Sequence, residues 1–256
     1  MLNVVCVKWG NWCHPYGADY VNALAESIRR HLTLPHRFLC FTDDASGLDP
    51  CIETQPLPQN LTGSWWETVY PHRKARKLRS ILSLPYLLKR RADHRALISD
   101  DKYKTRYPID LRGYYNKLYL FKSGVLTDQT LFVDLDTLIV GNIDEIATYD
   151  GSFCILRDFH QNLHYGSGLM LFDPATAHHV WDTYVAEGCP MFKMGDQAFI
   201  EKMMPDADFF QDRLPGQVVS YKVHCRKAGI PSYARIVCFH GSPRPHEVGY
   251  IVKGAA

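Results

Sequence analysis

The sequence predicts an α/β fold: a mostly parallel central sheet with helices on both faces. Three observations predict it. A strand–helix–strand pattern opens the chain, an apolar run at 131–136 ends in paired carboxylates, and strand and helix patterns alternate through most of the remaining residues. At 256 residues and 46% hydrophobic, the chain fits one large domain, 1–256, better than two small ones.

The elements come in order along the chain. Residues 3–9 begin Asn3-Val4-Val5-Cys6-Val7, an apolar run that reads as a first strand because it lacks the basic start and small-residue cleavage site of a signal peptide. A helix is expected at 18–32, where Tyr20, Val21, Leu24 and Ile28 fall on one face, and a second strand at 37–42. Further strands are expected at 131–136, 152–159 and 167–172, helices at 175–187 and 196–204, and a last strand at 234–239.

Between about 64 and 112 the pattern changes to a basic helical insertion. Residues 71–106 hold twelve Lys and Arg against three Asp, including Arg73, Lys74, Arg76 and Lys77, and Pro85 divides the segment into two short helices. Two readings stand for 72–91. It is a solvated helix pair, or it is a patch for an anionic membrane surface or an acidic acceptor.

Composition excludes some classes. A formal net charge of +2 gives no case for a nucleic-acid partner. The eight cysteines form no CxxC pair or zinc-ribbon spacing, and most sit in apolar runs where a free thiol behaves as a small buried hydrophobe. A reducing, cytoplasmic setting is expected on that basis. No apolar stretch approaches the roughly 18 residues of a membrane span, so the expectation is a soluble protein, at most peripheral on the inner face of a membrane.

The strongest local signal is Leu131-Phe132-Val133-Asp134-Leu135-Asp136-Thr137-Leu138. Strand periodicity of two would put the Asp134 and Asp136 side chains on one side at the strand's end, where open α/β sheets bind ligands. Paired carboxylates suit a hard divalent cation, Mg²⁺ or Mn²⁺, which can bridge diphosphate oxygens. By itself the pair is ambiguous, since acidic residues also form turns.

The run continues through Gly141-Asn142-Ile143-Asp144, and here the chain resembles the glycogenin and bacterial lipopolysaccharide galactosyltransferase group, retaining enzymes of the GT-A (Rossmann-like) fold. Further matches keep the family's order: Asn116-Lys117-Leu118-Tyr119, Ser167-Gly168-Leu169-Met170-Leu171-Phe172, Gly195-Asp196-Gln197, and Phe239-His240-Gly241-Ser242-Pro243-Arg244-Pro245.

The resemblance implies a nucleotide-sugar donor, a UDP-linked hexose, and a glycan or glycolipid acceptor, in polysaccharide biosynthesis. It implies that Asp134, Asp136 and His240 hold the metal, for which an imidazole ligand favours Mn²⁺. Leu135, Gly241 and Arg244 would flank the diphosphate, with Arg244 in place of the family's usual lysine. Lys117 would reach the donor, while Asp196, Gln197 and Asp158 would lie on the side of the sugar and the reacting carbon. Nucleotide contacts would come from Val7, Lys8, Thr42 and Asp43, with Tyr16 stacking on the base.

The chain departs from the pattern at Gly166, where the family commonly has Asn or Asp, so the donor sugar is not carried over. Two rival readings remain. Haloacid-dehalogenase phosphatases also place an apolar strand before Asp-x-Asp, but with Thr two positions after the second Asp, whereas Thr137 comes directly after Asp136. The other rival is a relative that binds nucleotide or glycan without turnover.

Overall fold

An apolar strand can bury both faces when helices cover both sides of its sheet. Strand β1 (Leu2–Lys8) is buried at every position. The computed structural model describes residues 1–9, 16–57, 111–160, 164–189 and 195–251. Val4 and Cys6 pack into a cluster with Tyr20, Val21, Leu24 and Ile28 of helix α1 (Ala18–His31), as the helical spacing predicts. Val5 and Val7 belong to a second cluster on the opposite face.

Strand β2 (His36–Thr42) runs parallel to β1, with Leu2 opposite His36 and Lys8 opposite Thr42. Strand β3 (Glu53–Pro56) adds to β2, and β4 (Thr130–Val133) pairs in parallel on the other side of β1. The chain's order therefore reverses between β1 and β4, which places a topological switch point at their carboxyl ends.

Beyond β4 the chain leaves the large sheet. Asp134–Asp136 form a turn closed by the Thr137 N–H donating to the Asp134 carbonyl at 3.0 Å, and strand β5 (Thr137–Ile139) begins a second sheet. The strand expected at 131–136 thus stops at Val133. The two carboxylates are presented by a turn rather than by strand alternation, because Leu135, 5% exposed, anchors the turn in the core.

After β5 come helix α2 (Asp144–Ala147) and strands β6 (Phe153–Arg157) and β7 (Tyr165–Phe172). The helix expected at 175–187 is two shorter ones, α3 (Pro174–Ala177) and α4 (His179–Ala186), with Asp173 capping α3 by accepting from the Ala175 N–H. Helix α5 (Asp196–Met203) is followed by β8 (Asp208–Phe209), α6 (Phe210–Arg213), β9 (Val218–Ser220), a π-helical turn (Tyr221–Cys225) and β10 (Ile236–Cys238).

The large sheet has the order β3-β2-β1-β4-β7-β6-β8, and β7 runs antiparallel to both of its neighbours while the other pairings are parallel. The small sheet has the order β5-β10-β9. The last expected strand, 234–239, contributes only Ile236–Cys238, and it joins this small sheet. The basic insertion at about 64–112, with Arg73, Lys74, Arg76 and Lys77, lies outside the described residues apart from its end. No described helix is long and apolar enough to cross a membrane.

Candidate active site

The site forms where β4 of the large sheet hands over to β5 of the small one. The helical segment Leu111–Phe121 lies against this junction and contributes Lys117, whose ammonium is buried. A buried ammonium needs carboxylate partners to offset its lost hydration. Lys117 Nζ donates to Asp134 Oδ2 at 2.9 Å and to Ser167 Oγ at 3.3 Å, and lies 3.9 Å from Asp196 Oδ2. Burial would lower the Lys117 pKa, but Asp134 and Asp196 outweigh it and hold the group above the ordinary lysine range.

Asp196 opens α5. Gly195 precedes it at φ +75°, a left-handed conformation that suits glycine and turns the chain so that α5 starts with its acidic side chain inward. Asp196 is 4% exposed, and among the described residues its Oδ2 has no hydrogen-bond partner, only the Lys117 ammonium at 3.9 Å. An unpartnered buried carboxylate oxygen is costly in a folded chain and marks a place where a ligand can complete the bonding.

The two turn carboxylates differ in partners. Asp134 is raised by burial, against the pull of Lys117. Asp136 is raised further, by burial and then by the Asp134 charge beside it. Its Oδ2 accepts from the Tyr16 hydroxyl at 2.7 Å and from Arg244 Nη1 at 2.8 Å. Arg244 also touches the Tyr16 hydroxyl, and its guanidinium lies over the Tyr16 ring at 5.1 Å. Burial lowers the Arg244 pKa, and its Nε is buried with no hydrogen-bond partner among the described residues.

Strand β10 runs antiparallel to β5, and the Phe239 N–H donates to the Asp136 carbonyl at 3.0 Å. This register brings the His240 backbone alongside the carboxylate turn. The His240 side chain has taken another partner: Nε2 meets Ser220 Oγ at 2.6 Å, while the ring stacks on Phe159 at 5.7 Å and meets His160 edge-on at 5.0 Å. Burial, then Lys222 and His160, push its pKa down to about 4. Among the described residues, no three His, Cys, Asp or Glu side chains gather closely enough to hold a metal ion, so the Asp134–Asp136–His240 trio is not assembled as a ligand set.

The expected nucleotide residues sit at the ends of β1 and β2. Lys8 Nζ donates to the Asp44 carbonyl at 2.6 Å, and Thr42 Oγ1 donates to the same oxygen at 2.8 Å. Val7 is buried, so it can offer a ligand its backbone, and Asp43 is exposed. Tyr16, expected to stack on a base, joins the Asp136 and Arg244 group through its hydroxyl.

Asp158 and Gln197 face a different space. Both line a cavity of about 1580 Å³, together with Arg157, Phe159, Glu201 and Tyr233. The Asp158 Oδ1 also accepts from the His160 N–H at 2.7 Å. A Cβ added at Gly166 would meet nothing nearer than Leu156 Cβ at 3.5 Å, so crowding does not explain the missing side chain there. The sequence reading missed Ser167, Ser220 and Lys222. Ser167 stood in the Ser-Gly run, whereas Lys222 lies in a π-helical turn with no motif to announce it.

No protein-family model and no curated protein sequence matches the chain. Its fold does match solved structures. The galactosyltransferase LgtC, in complex with donor and acceptor sugar analogues, superposes with a TM-score of 0.57 over 95% of this chain and 88% of that one, at 11% identity. An active-site mutant of LgtC matches at 0.57 over 99% and 97%, at 10% identity. The bifunctional glycosyltransferase WbbM matches at 0.56 over 98% of this chain and 47% of its own, at 12% identity. The chain thus shares the GT-A fold of these glycosyltransferase structures.

Proposed function

We propose that the chain is a glycosyltransferase that moves a hexose from a UDP-linked nucleotide sugar to a hydroxyl of a glycan or glycolipid acceptor, with retention and with Mn²⁺ or Mg²⁺. One observation carries the reading. Buried Lys117 and Asp196 form a charged cluster with Asp134 at the switch point of a glycosyltransferase fold, and among the described residues one Asp196 oxygen accepts no hydrogen bond. The likeness of fold to LgtC and WbbM supports glycosyl transfer as the class of reaction.

The residues suit a divalent ion by their chemistry. Asp134 and Asp136 are close enough for one charge to raise the other's pKa, a repulsion that a divalent cation would relieve. Asp134 and Asp136 would hold the ion, with His240 as the third ligand only once its ring had left Ser220, and the ion would neutralise charge on the departing diphosphate. Arg244 now supplies the positive charge on Asp136, and a diphosphate would offer it a second anion. Lys117 fixes the orientation of Asp134 and brings its own charge toward the donor. Asp196, Gln197 and Asp158 would stand on the side of the sugar, the last two from the wall of the neighbouring cavity.

The test is turnover of a UDP-hexose with Mn²⁺ by the wild type and by Asp136→Ala. Mn²⁺-dependent UDP release is expected from the wild type and none from the variant, with matching circular dichroism spectra. Near-normal release by the variant contradicts the metal role of the turn. In the same reaction, NMR of the first product anomer should show the donor's configuration, and an inverted product would end the retaining assignment.

A further inference from the structure

We propose that Lys222 is a second cationic contact for the donor diphosphate, held over the Gly241 backbone beside the carboxylate turn. This rests on the nucleotide-sugar reading, and it adds a residue that no sequence motif supplies. Parallel pairing of β9 with β10 places Ser220 opposite Cys238, so the chain leaving β9 runs beside Phe239 and His240. The π-helical turn directly after β9 delivers Lys222 there, and its Nζ donates to the His240 carbonyl at 2.6 Å.

Gly241 makes room for the ammonium. It sits at φ +80°, and a Cβ built on it would lie 3.2 Å from Lys222 Nζ. A side chain at 241 would therefore strain the backbone and crowd the lysine, and glycine avoids both.

An ammonium carries three donors. Among the described residues the His240 carbonyl is the only hydrogen-bond partner of Lys222, which leaves donors for a ligand. Lys117 bonds the turn carboxylate Asp134, whereas Lys222 bonds the carbonyl of His240, one residue after Phe239, whose N–H donates to the Asp136 carbonyl. A dianionic diphosphate bridging the turn and the Gly241 backbone would meet Lys222 as a point charge.

Calorimetric titration of uridine and UDP in the presence of Mn²⁺ tests the assignment. Lys222→Gln removes the charge and keeps an N–H able to reach the His240 carbonyl, which separates ligand binding from a purely structural tie. UDP affinity is expected to fall about tenfold, the size of one charge-assisted hydrogen bond, while uridine affinity is unchanged. Lys222→Arg should recover most of the loss. If UDP affinity is unchanged, or uridine and UDP weaken equally, the diphosphate contact is wrong. Lys222→Met provides the same comparison should the glutamine variant fold poorly. A wild-type protein that binds neither UDP nor a UDP-sugar overturns the donor reading itself, which is a different outcome from a wild type that binds UDP and a variant that binds it equally well.

Discussion

A lysine keeps its charge in a protein interior only where carboxylates repay its desolvation, and Lys117 does so between Asp134 and Asp196. Replacing it with Met leaves those two carboxylates facing each other without a cation. Lys117→Met is therefore expected to cost about 3–5 kcal/mol in urea unfolding at neutral pH. A variant as stable as the wild type would show that the cluster is not held by this charge. The identities of Lys117, Asp134, Asp136, Asp196 and Arg244 were legible because acidic and basic types stand at recognisable places in ordered motifs. Their partners were not. Tyr16 reads as an aromatic platform, yet its hydroxyl finds the buried Asp136 carboxylate, and His240 finds Ser220 from a neighbouring strand. Such choices depend on which atoms the fold brings within hydrogen-bond reach, and residue order does not encode that directly.

At the scale of elements, periodicity located β1, α1 and β2 to within a residue or two, because all three carry strong apolar patterns. It missed β9, whose three residues are too short for a period, and drew β10 too long at 234–239, because pairing with β5 and β9 rather than an apolar pattern sets its three residues. The Asn142-Ile143-Asp144 run, met first as a family motif, turns out to be a clasp. Asp144 accepts from the Thr33 N–H at 2.7 Å, from the Thr33 hydroxyl at 2.6 Å and from Asn142 Nδ2 at 2.9 Å, while the Ile143 N–H donates to the His31 carbonyl at 2.8 Å. These bonds tie the end of α1 to the start of α2. Hydrogen bonds from Thr33 and Asn142 bring the Asp144 pKa down to about 2. A depressed carboxylate pKa stabilises the fold above its unfolded value and loses that contribution as pH falls through the folded one. The stability difference between wild type and Asp144→Asn should therefore be constant near neutrality and close between about pH 4 and pH 2. A gap that stays open at pH 2, measured by urea unfolding, would remove the carboxylate's role in the clasp.

Across the whole molecule, the sequence predicted one large sheet and the chain builds two. The crossing between them is the Asp134–Asp136 turn, and this is what lets residues from distant parts of the chain meet there: Lys117 from the segment before β4, Arg244 and the His240 backbone after β10, and Tyr16 just before α1. A single-sheet reading could place the carboxylates at a strand end but could not show that a second sheet closes over them from the other side. The metal-dependent grip on a nucleoside diphosphate is the claim on which the rest depends. Its most direct test is the melting temperature of the wild-type protein with UDP, measured with Mn²⁺ and then with EDTA, because a ligand bound only by the native state raises its stability. UDP at a hundredfold excess over its dissociation constant should add about 2.7 kcal/mol, and thus several degrees, in Mn²⁺ and little in EDTA. A shift of equal size in both conditions, or none in either, would contradict a metal-held diphosphate at Asp134 and Asp136.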